Sequence, residues 1–176
     1  MIYGFDFDGT LVQSWTATPL PGVRERLAQL AADAKTFIAT NQAGPAFRTV
    51  LNDPKYPSVE DVAHRIAASV AALHWRPQLL LVSCCAAREG AAWWRAEAAA
   101  AGAFDRVLPQ LLGALPILTF VMPHYRKPQP GMLFAAQQRL GGDAMVYIGD
   151  MESDAMAAAA AHARYVDASA WRAGAD

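Results

Sequence analysis

Two aspartates separated by one residue, in Asp6-Phe7-Asp8-Gly9-Thr10, close a short apolar run near the start of the chain. On an extended segment, carboxylates two positions apart point to the same side. An apolar strand gains nothing structural from ending in two acids. Unpaired they repel, so a cation is expected between or beside them. Gly9 permits a sharp turn and the Thr10 hydroxyl can brace it. Far along the chain, Gly149-Asp150-Met151-Glu152-Ser153-Asp154 brings two more acids to a strand end. An aspartate at a helix start is ordinarily a cap. Beside Asp6 and Asp8, a magnesium site is the better account, because Mg2+ uses few carboxylates and completes its shell with waters and phosphate. Lys127 lies in Tyr125-Arg126-Lys127-Pro128-Gln129-Pro130-Gly131-Met132. The two prolines stiffen the backbone where a helix begins, and an ammonium there can face both the acids and a bound phosphate. Thr40 offers a hydroxyl, and backbone amides near it can hold phosphoryl oxygens. A strand-end threonine bonded only to backbone is an equally ordinary arrangement.

The elements that must position these residues follow from periodicity. Short apolar runs alternate with helical patterns, which predicts an α/β fold built on a parallel sheet. Strands are expected at 2–7, 36–39, 79–83, 117–122 and 145–148, with a short edge strand at 165–166. Val23, Leu27, Leu30 and Ala34 recur at helical spacing behind Pro21. Residues 43–57 carry Gly44, Pro45, Pro54 and Pro57 and read as a loop, and Ser58 with Asp61 reads as a capping box opening a helix through Leu73. An alanine-rich helix is expected to about Ala101, with one ring of Trp93-Trp94 packed inward. Pro130 opens a further helix that Gly141-Gly142 stops, and another follows Asp150. In an open parallel sheet the carboxyl ends of the strands form the ligand crevice. Asp6, Asp8, Thr40, Lys127, Asp150 and Asp154 all follow strands, so they are expected to converge there.

The bulk composition agrees. A chain of 176 residues fits one domain, 1–176, and 54% hydrophobic with 18% charged residues gives a buried core. A net charge of −1 excludes a general nucleic-acid or membrane-surface binder, although a local patch is compatible with it. No uncharged apolar run of about 18 residues is present, and no basic region followed by an apolar stretch opens the chain. Cys84 and Cys85 are adjacent, a spacing that suits neither a disulfide framework nor a zinc knuckle. They read as small buried residues in a protein of the reducing cytoplasm.

Together the four segments resemble the four motifs of the haloacid dehalogenase (HAD) superfamily, in order and over nearly the whole chain. Thr40-Asn41-Gln42-Ala43-Gly44 with Arg126-Lys127-Pro128 is more narrowly similar to the branch of histidinol phosphatases, heptose bisphosphate phosphatases and polynucleotide 3′-phosphatases. This resemblance implies a three-layer Rossmann-like sheet with helices on both faces. It implies a magnesium-dependent phosphatase in which Asp6 attacks phosphorus to form an aspartyl phosphate, and Asp8 protonates the leaving oxygen and then activates water. It further implies Mg2+ on Asp6, Asp150 and the Asp8 carbonyl, with Asp154 beside them, and Thr40 and Lys127 on the phosphoryl oxygens. Asn41, Arg48 and Arg126 become candidate substrate contacts, with Lys55 beside them in the 43–57 loop. Departures are visible: Cys84-Cys85 does not reproduce the zinc loop of some relatives, and Pro45 replaces a common isoleucine. Asp8 speaks against dehalogenase chemistry, which needs no protonated leaving group. Between Thr10 and Thr40 there is room for one helix, and 41–126 reads as sheet-building units, so no covering domain is expected. The expected substrate is a small phosphorylated metabolite. A nucleic-acid end carrying a 3′-phosphate is the alternative, and a non-catalytic regulatory protein of the same fold a second one.

Overall fold

A computed structural model describes residues 1–142 and 144–174. Six strands, β1 (Ile2–Phe5), β2 (Lys35–Asn41), β3 (Leu79–Ser83), β4 (Ile117–Phe120), β5 (Met145–Gly149) and β6 (Arg164–Asp167), form one sheet in the order β4-β3-β2-β1-β5-β6. Every neighbouring pair is parallel. A parallel sheet must bury both faces, and the strand sequences answer this by alternation. Ile38, Leu80, Val82, Val146 and Ile148 pack in one core, whereas Phe37, Ala39, Leu79, Leu81, Met145 and Tyr147 pack in the other.

Among the described residues there are seven α-helices, α1 (Val23–Ala28), α2 (Gly44–Leu51), α3 (Val59–Leu73), α4 (Ala91–Leu112), α5 (Gly131–Leu140), α6 (Glu152–Ala160) and α7 (Ala168–Arg172), and α2 packs through Ala46 with Ala96 of α4. Val23 and Leu27 of α1, Val62 and Ile66 of α3, Phe104 and Leu108 of α4, and Trp171 of α7 cover the first face. Met132, Leu133 and Ala136 of α5 with Ala157 and Ala158 of α6 cover the second. The protein is therefore an α/β fold on a parallel sheet, as the sequence pattern predicts, with the three layers that the resemblance implies, and no second lobe occurs among the described residues. None of the described helices is long and apolar enough to cross a membrane.

Three expectations about elements need correction. The helix beginning at Val23 ends at Ala28 rather than continuing to Ala34, because the chain must turn to start β2 at Lys35 opposite Ile2. Residues 43–57 are not all loop: Gly44–Leu51 is α2, with Pro45 in its first turn, where no intrahelical hydrogen bond is lost. Asn52, in the left-handed conformation at φ 49°, stops it. The alanine-rich helix runs past Ala101 to Leu112 in spite of Gly102 and Pro109. Phe104, Leu108 and Leu112 recur at helical spacing on its buried side, and that packing outweighs the two poor helix formers. The Ser58 hydroxyl accepts from the Asp61 amide, and the Asp61 carboxylate accepts from the Ser58 amide, so the predicted capping box starts α3. Trp93 packs edge-on against Phe47 at 4.9 Å, while Trp94 is half exposed.

Strand order reverses at β1, since β2, β3 and β4 extend to one side and β5 and β6 to the other. A crevice therefore opens at the carboxyl ends of β1 and β5.

Candidate active site

Asp6 leaves β1 with its amide donating 2.8 Å to the Ile148 carbonyl of β5, which fixes it at the strand junction. Its Oδ1 forms an ion pair with Lys127. Lys127 is only 4% exposed. Its Nζ also forms an ion pair with Asp154 Oδ1 at 2.7 Å and donates 3.1 Å to the Tyr147 hydroxyl, so three oxygens surround it. The Tyr147 hydroxyl in turn donates a hydrogen bond to the Ala39 carbonyl at 3.2 Å. It reaches this position by stacking on Phe37 at 6.1 Å over Gly4, where any Cβ would strike both rings.

The carboxylates crowd one another. Asp6, Asp150 and Asp154 each offer an oxygen within 4.8 Å of the other two. Three acids against one ammonium leave an excess of negative charge. Burial pushes the Asp6 carboxyl up to about 6, and Lys127 counters this only in part, with Asp154 adding to the rise. Asp150 is raised by burial and then by Asp154. Burial alone would lower the Lys127 ammonium, but Asp6, Tyr147 and Asp154 outweigh it and hold the group well above the ordinary lysine range. Asp6 rises because its burial, with Asp154 adding to it, outweighs the attraction of Lys127, whereas Lys127 rises because its anionic neighbours outweigh its burial. A donor set of hard, crowded carboxylate oxygens with one shared cation fits a divalent hard metal. Asp154 is tied down by Lys127 and by the Met151 amide, which donates to its Oδ2 at 3.1 Å, whereas Asp150 has no ion pair among the described residues. The Thr10 hydroxyl lies 3.3 Å from Asp150 Oδ1 and 3.5 Å from Asp6 Oδ2, and donates to one at a time. Gly9, at φ 82°, brings the turn so close that a Cβ would overlap the Asp150 carboxylate.

Asp8 faces a different set of partners and is absent from the acid cluster. Its Oδ1 accepts from Arg65 Nη1 at 2.6 Å and from the Trp15 amide at 3.2 Å. Its Oδ2 accepts from Arg65 Nη2 and Gln42 Nε2, both at 3.1 Å. Four N–H donors fill the acceptor positions of an ionised carboxylate. Gln42 also donates 2.8 Å to the Thr40 hydroxyl, which ties β2 to Asp8. The Arg65 guanidinium sits over the Phe7 ring at 5.3 Å and the Trp15 ring at 5.8 Å.

A crevice of about 340 Å3 is lined by Asp6, Asp8, Thr40, Lys127, Asp150 and Asp154 together with Asn41 and Trp15. The residues expected to do chemistry are thus gathered at one place. Asn41 exchanges two 3.2 Å bonds with the Lys127 backbone and so braces the lysine loop. The other candidate contacts are not brought to the crevice. Arg126 donates to the Cys85 carbonyl at 2.7 Å, and Arg48 to the carbonyls of Pro54 and Tyr56 at 3.0 and 2.7 Å. Lys55 pairs with Asp53 at 2.9 Å on the surface. Sequence reasoning missed Arg65, Gln42, Tyr147 and Trp15, and also Arg172, which donates to the carbonyls of Gly9 and Thr10 at 3.2 and 3.1 Å. Only Gln42, inside the Thr40 segment, carried a local signal. Cys84 and Cys85 are free and buried at the end of β3.

Comparison with known protein families and with curated proteins finds no match. Among solved structures, the chain is similar to a glycerol phosphate phosphatase from Mycobacterium tuberculosis in complex with magnesium, at 18% identity and a TM-score of 0.43. The same phosphatase in complex with calcium matches at 16% identity and a TM-score of 0.43. Each alignment covers 93% of this chain and 66% or 64% of that one, so the chain spans about two-thirds of its length.

Proposed function

We propose that the protein is a magnesium-dependent phosphomonoester hydrolase of the HAD superfamily, working as one catalytic unit without a covering domain. The observation that carries this reading is the buried Asp6–Lys127–Asp154 group with the exposed Asp150 carboxylate clustered beside it, and Asp8 held separately on the same crevice. Phosphoryl transfer asks for a positioned anionic nucleophile, cationic neutralisation of the phosphoryl oxygens and a proton donor for the leaving alkoxide.

Asp6 attacks phosphorus in line with the ester oxygen. The Asp6–phosphorus bond forms as the ester bond breaks, and Asp8 gives the departing oxygen its proton. Water then attacks the aspartyl phosphate while Asp8 takes its proton back, and inorganic phosphate leaves. Lys127 and Thr40 hold phosphoryl oxygens. Asp6 and Asp150, with Asp154 behind them, would hold Mg2+, which when bound supplies neutralisation of the charge developing on the phosphoryl group. Arg65, Gln42 and the Trp15 amide hold the Asp8 carboxyl in orientation on the crevice for both proton transfers.

The test is hydrolysis of an activated aryl phosphate with magnesium and again after chelation. Turnover should require the metal, and Asp6→Asn should cut it by more than about a hundredfold, roughly 3 kcal/mol in the barrier. Metal-independent turnover, or a folded Asp6→Asn chain with full activity, would contradict the proposal.

A further inference from the structure

Trp15 is the residue at this site that the proposed chemistry leaves unused. It follows β1 in the turn after the Asp8 segment, at φ 64°, a conformation that bulky residues rarely adopt. Its side chain is nevertheless 69% exposed. Strain at a bulky, solvent-facing residue beside a catalytic group points to use rather than packing. The ring is also held in place: its amide donates to Asp8, and the Arg65 guanidinium that grips Asp8 lies over it.

Its position is informative. Trp15 lines the acidic crevice, and it also lines a neighbouring crevice of about 470 Å3 bounded by Pro57, Val62, His64, Arg65 and Ala68. With the phosphoryl group on Asp6 and the ester oxygen facing Asp8, the alcohol portion of a substrate must leave on the Asp8 side. The Asp8 side is where Trp15 stands, with the second crevice beyond it. Met151, 59% exposed in the turn after β5, is a further apolar side chain on the catalytic crevice. Both volumes fall in the range of small-molecule sites.

We propose that Trp15 forms a leaving-group subsite for a planar ring carried by the substrate's alcohol, as a nucleobase is in a nucleotide. This rests on the phosphatase reading and narrows its substrate class. A tryptophan accepts any base on its face, and one such contact is worth about tenfold or more in affinity. Pre-ordering of the ring by Arg65 removes the entropy that a free surface side chain would lose on binding.

The experiment compares kcat/KM for an adenosine monophosphate and for the ringless glycerol 3-phosphate. It uses the wild-type chain, Trp15→Phe and Trp15→Leu, with circular dichroism checking the fold. The expected result is a wild-type preference for the nucleotide that falls about tenfold in Trp15→Leu and is kept in Trp15→Phe. An unchanged preference in Trp15→Leu, or equal kcat/KM for the two esters in the wild type, overturns the subsite while leaving the phosphatase reading intact. Calorimetric binding of the same two ligands separates the opposite failure. Ring-dependent binding without magnesium-dependent hydrolysis refutes the phosphatase and leaves the subsite. A third substrate, an oligonucleotide ending in the same phosphorylated nucleotide, identifies the source of the ring. Faster turnover of the mononucleotide assigns a free nucleotide and faster turnover of the oligonucleotide a nucleic-acid end, and either supports the ring subsite.

Discussion

Asp6 carries a charge that the fold does not balance. Burial pushes its carboxyl up to about 6, above the ordinary carboxylate range, even with Lys127 in contact. A folded chain that holds a proton more tightly than the unfolded chain gains stability at low pH. That gain is lost as pH rises through about 6. Asp6→Asn removes the charge at every pH while Lys127 keeps Asp154. The metal-free variant should therefore melt at a higher temperature than wild type at pH about 8, with the difference shrinking toward pH about 4. A lower melting temperature for the variant across that range would contradict the charge imbalance. Cys84 offers a second check at this scale. Burial pushes its thiol up to about 12, with Asp105 and Glu97 adding to the effect. A thiol reagent at pH about 8 should leave Cys84 unmodified in the native protein and label it once the chain is unfolded. Rapid native labelling, located by peptide mass, would be the adverse result.

Helix α3 does more than cover the sheet. Val62 and Ile66 face the core, and Arg65 between them crosses to Asp8, 57 positions earlier in sequence. Bidentate contact fixes the carboxylate's orientation as well as its charge. Arg65→Met should leave Asp8 free to turn. The step that needs Asp8 as base, hydrolysis of the aspartyl phosphate, should then slow by about tenfold to a hundredfold. Phosphorylation by an aryl phosphate needs little acid assistance, so the variant should release about one equivalent of phenol in a burst before slow turnover. Equal slowing of both steps, with no burst, would show that Arg65 serves the whole site rather than Asp8. Such a role is not legible in the sequence, because an arginine on an amphipathic helix ordinarily points to solvent and nothing local names its partner. Tyr147 is hidden for a similar reason. It reads as one more apolar residue of a buried strand until Phe37 and Gly4 are seen to aim its hydroxyl at Lys127. By contrast, acids and a lysine stranded at the ends of apolar runs were legible, since a strand end has no structural need of them.

At the scale of the whole molecule, parallel topology brings distant segments together. Strand ends at Asn41, Phe5 and Gly149 lie on the adjacent strands β2, β1 and β5, although most of the chain separates Phe5 from Gly149. Short apolar runs alternating with helical patterns made this sheet predictable, and the side chains of each strand divide between the two cores. Helix limits were less legible. Gly102 and Pro109 in α4 and Pro45 in α2 are breakers by type, and only the buried faces around them show that the helices persist. That packing can be tested through Phe104, which is wholly buried in α4 against the first face. Phe104→Ala should cost about 3–5 kcal/mol of stability through lost burial and an unfilled cavity. A denaturation midpoint close to that of wild type would contradict the assignment of α4 to the core.

The central claim is that Asp6 carries the phosphoryl group. Acyl phosphates are reduced by borohydride whereas free carboxylates are not, so the intermediate can be recorded at its own position. The wild-type chain is mixed with magnesium and an aryl phosphate, quenched during turnover, reduced, digested and read by peptide mass. The account predicts that residue 6 is converted to homoserine, that this requires both metal and substrate, and that Asp8 is untouched. Sustained turnover with residue 6 unmodified, or with the reduction at another acid, would contradict it.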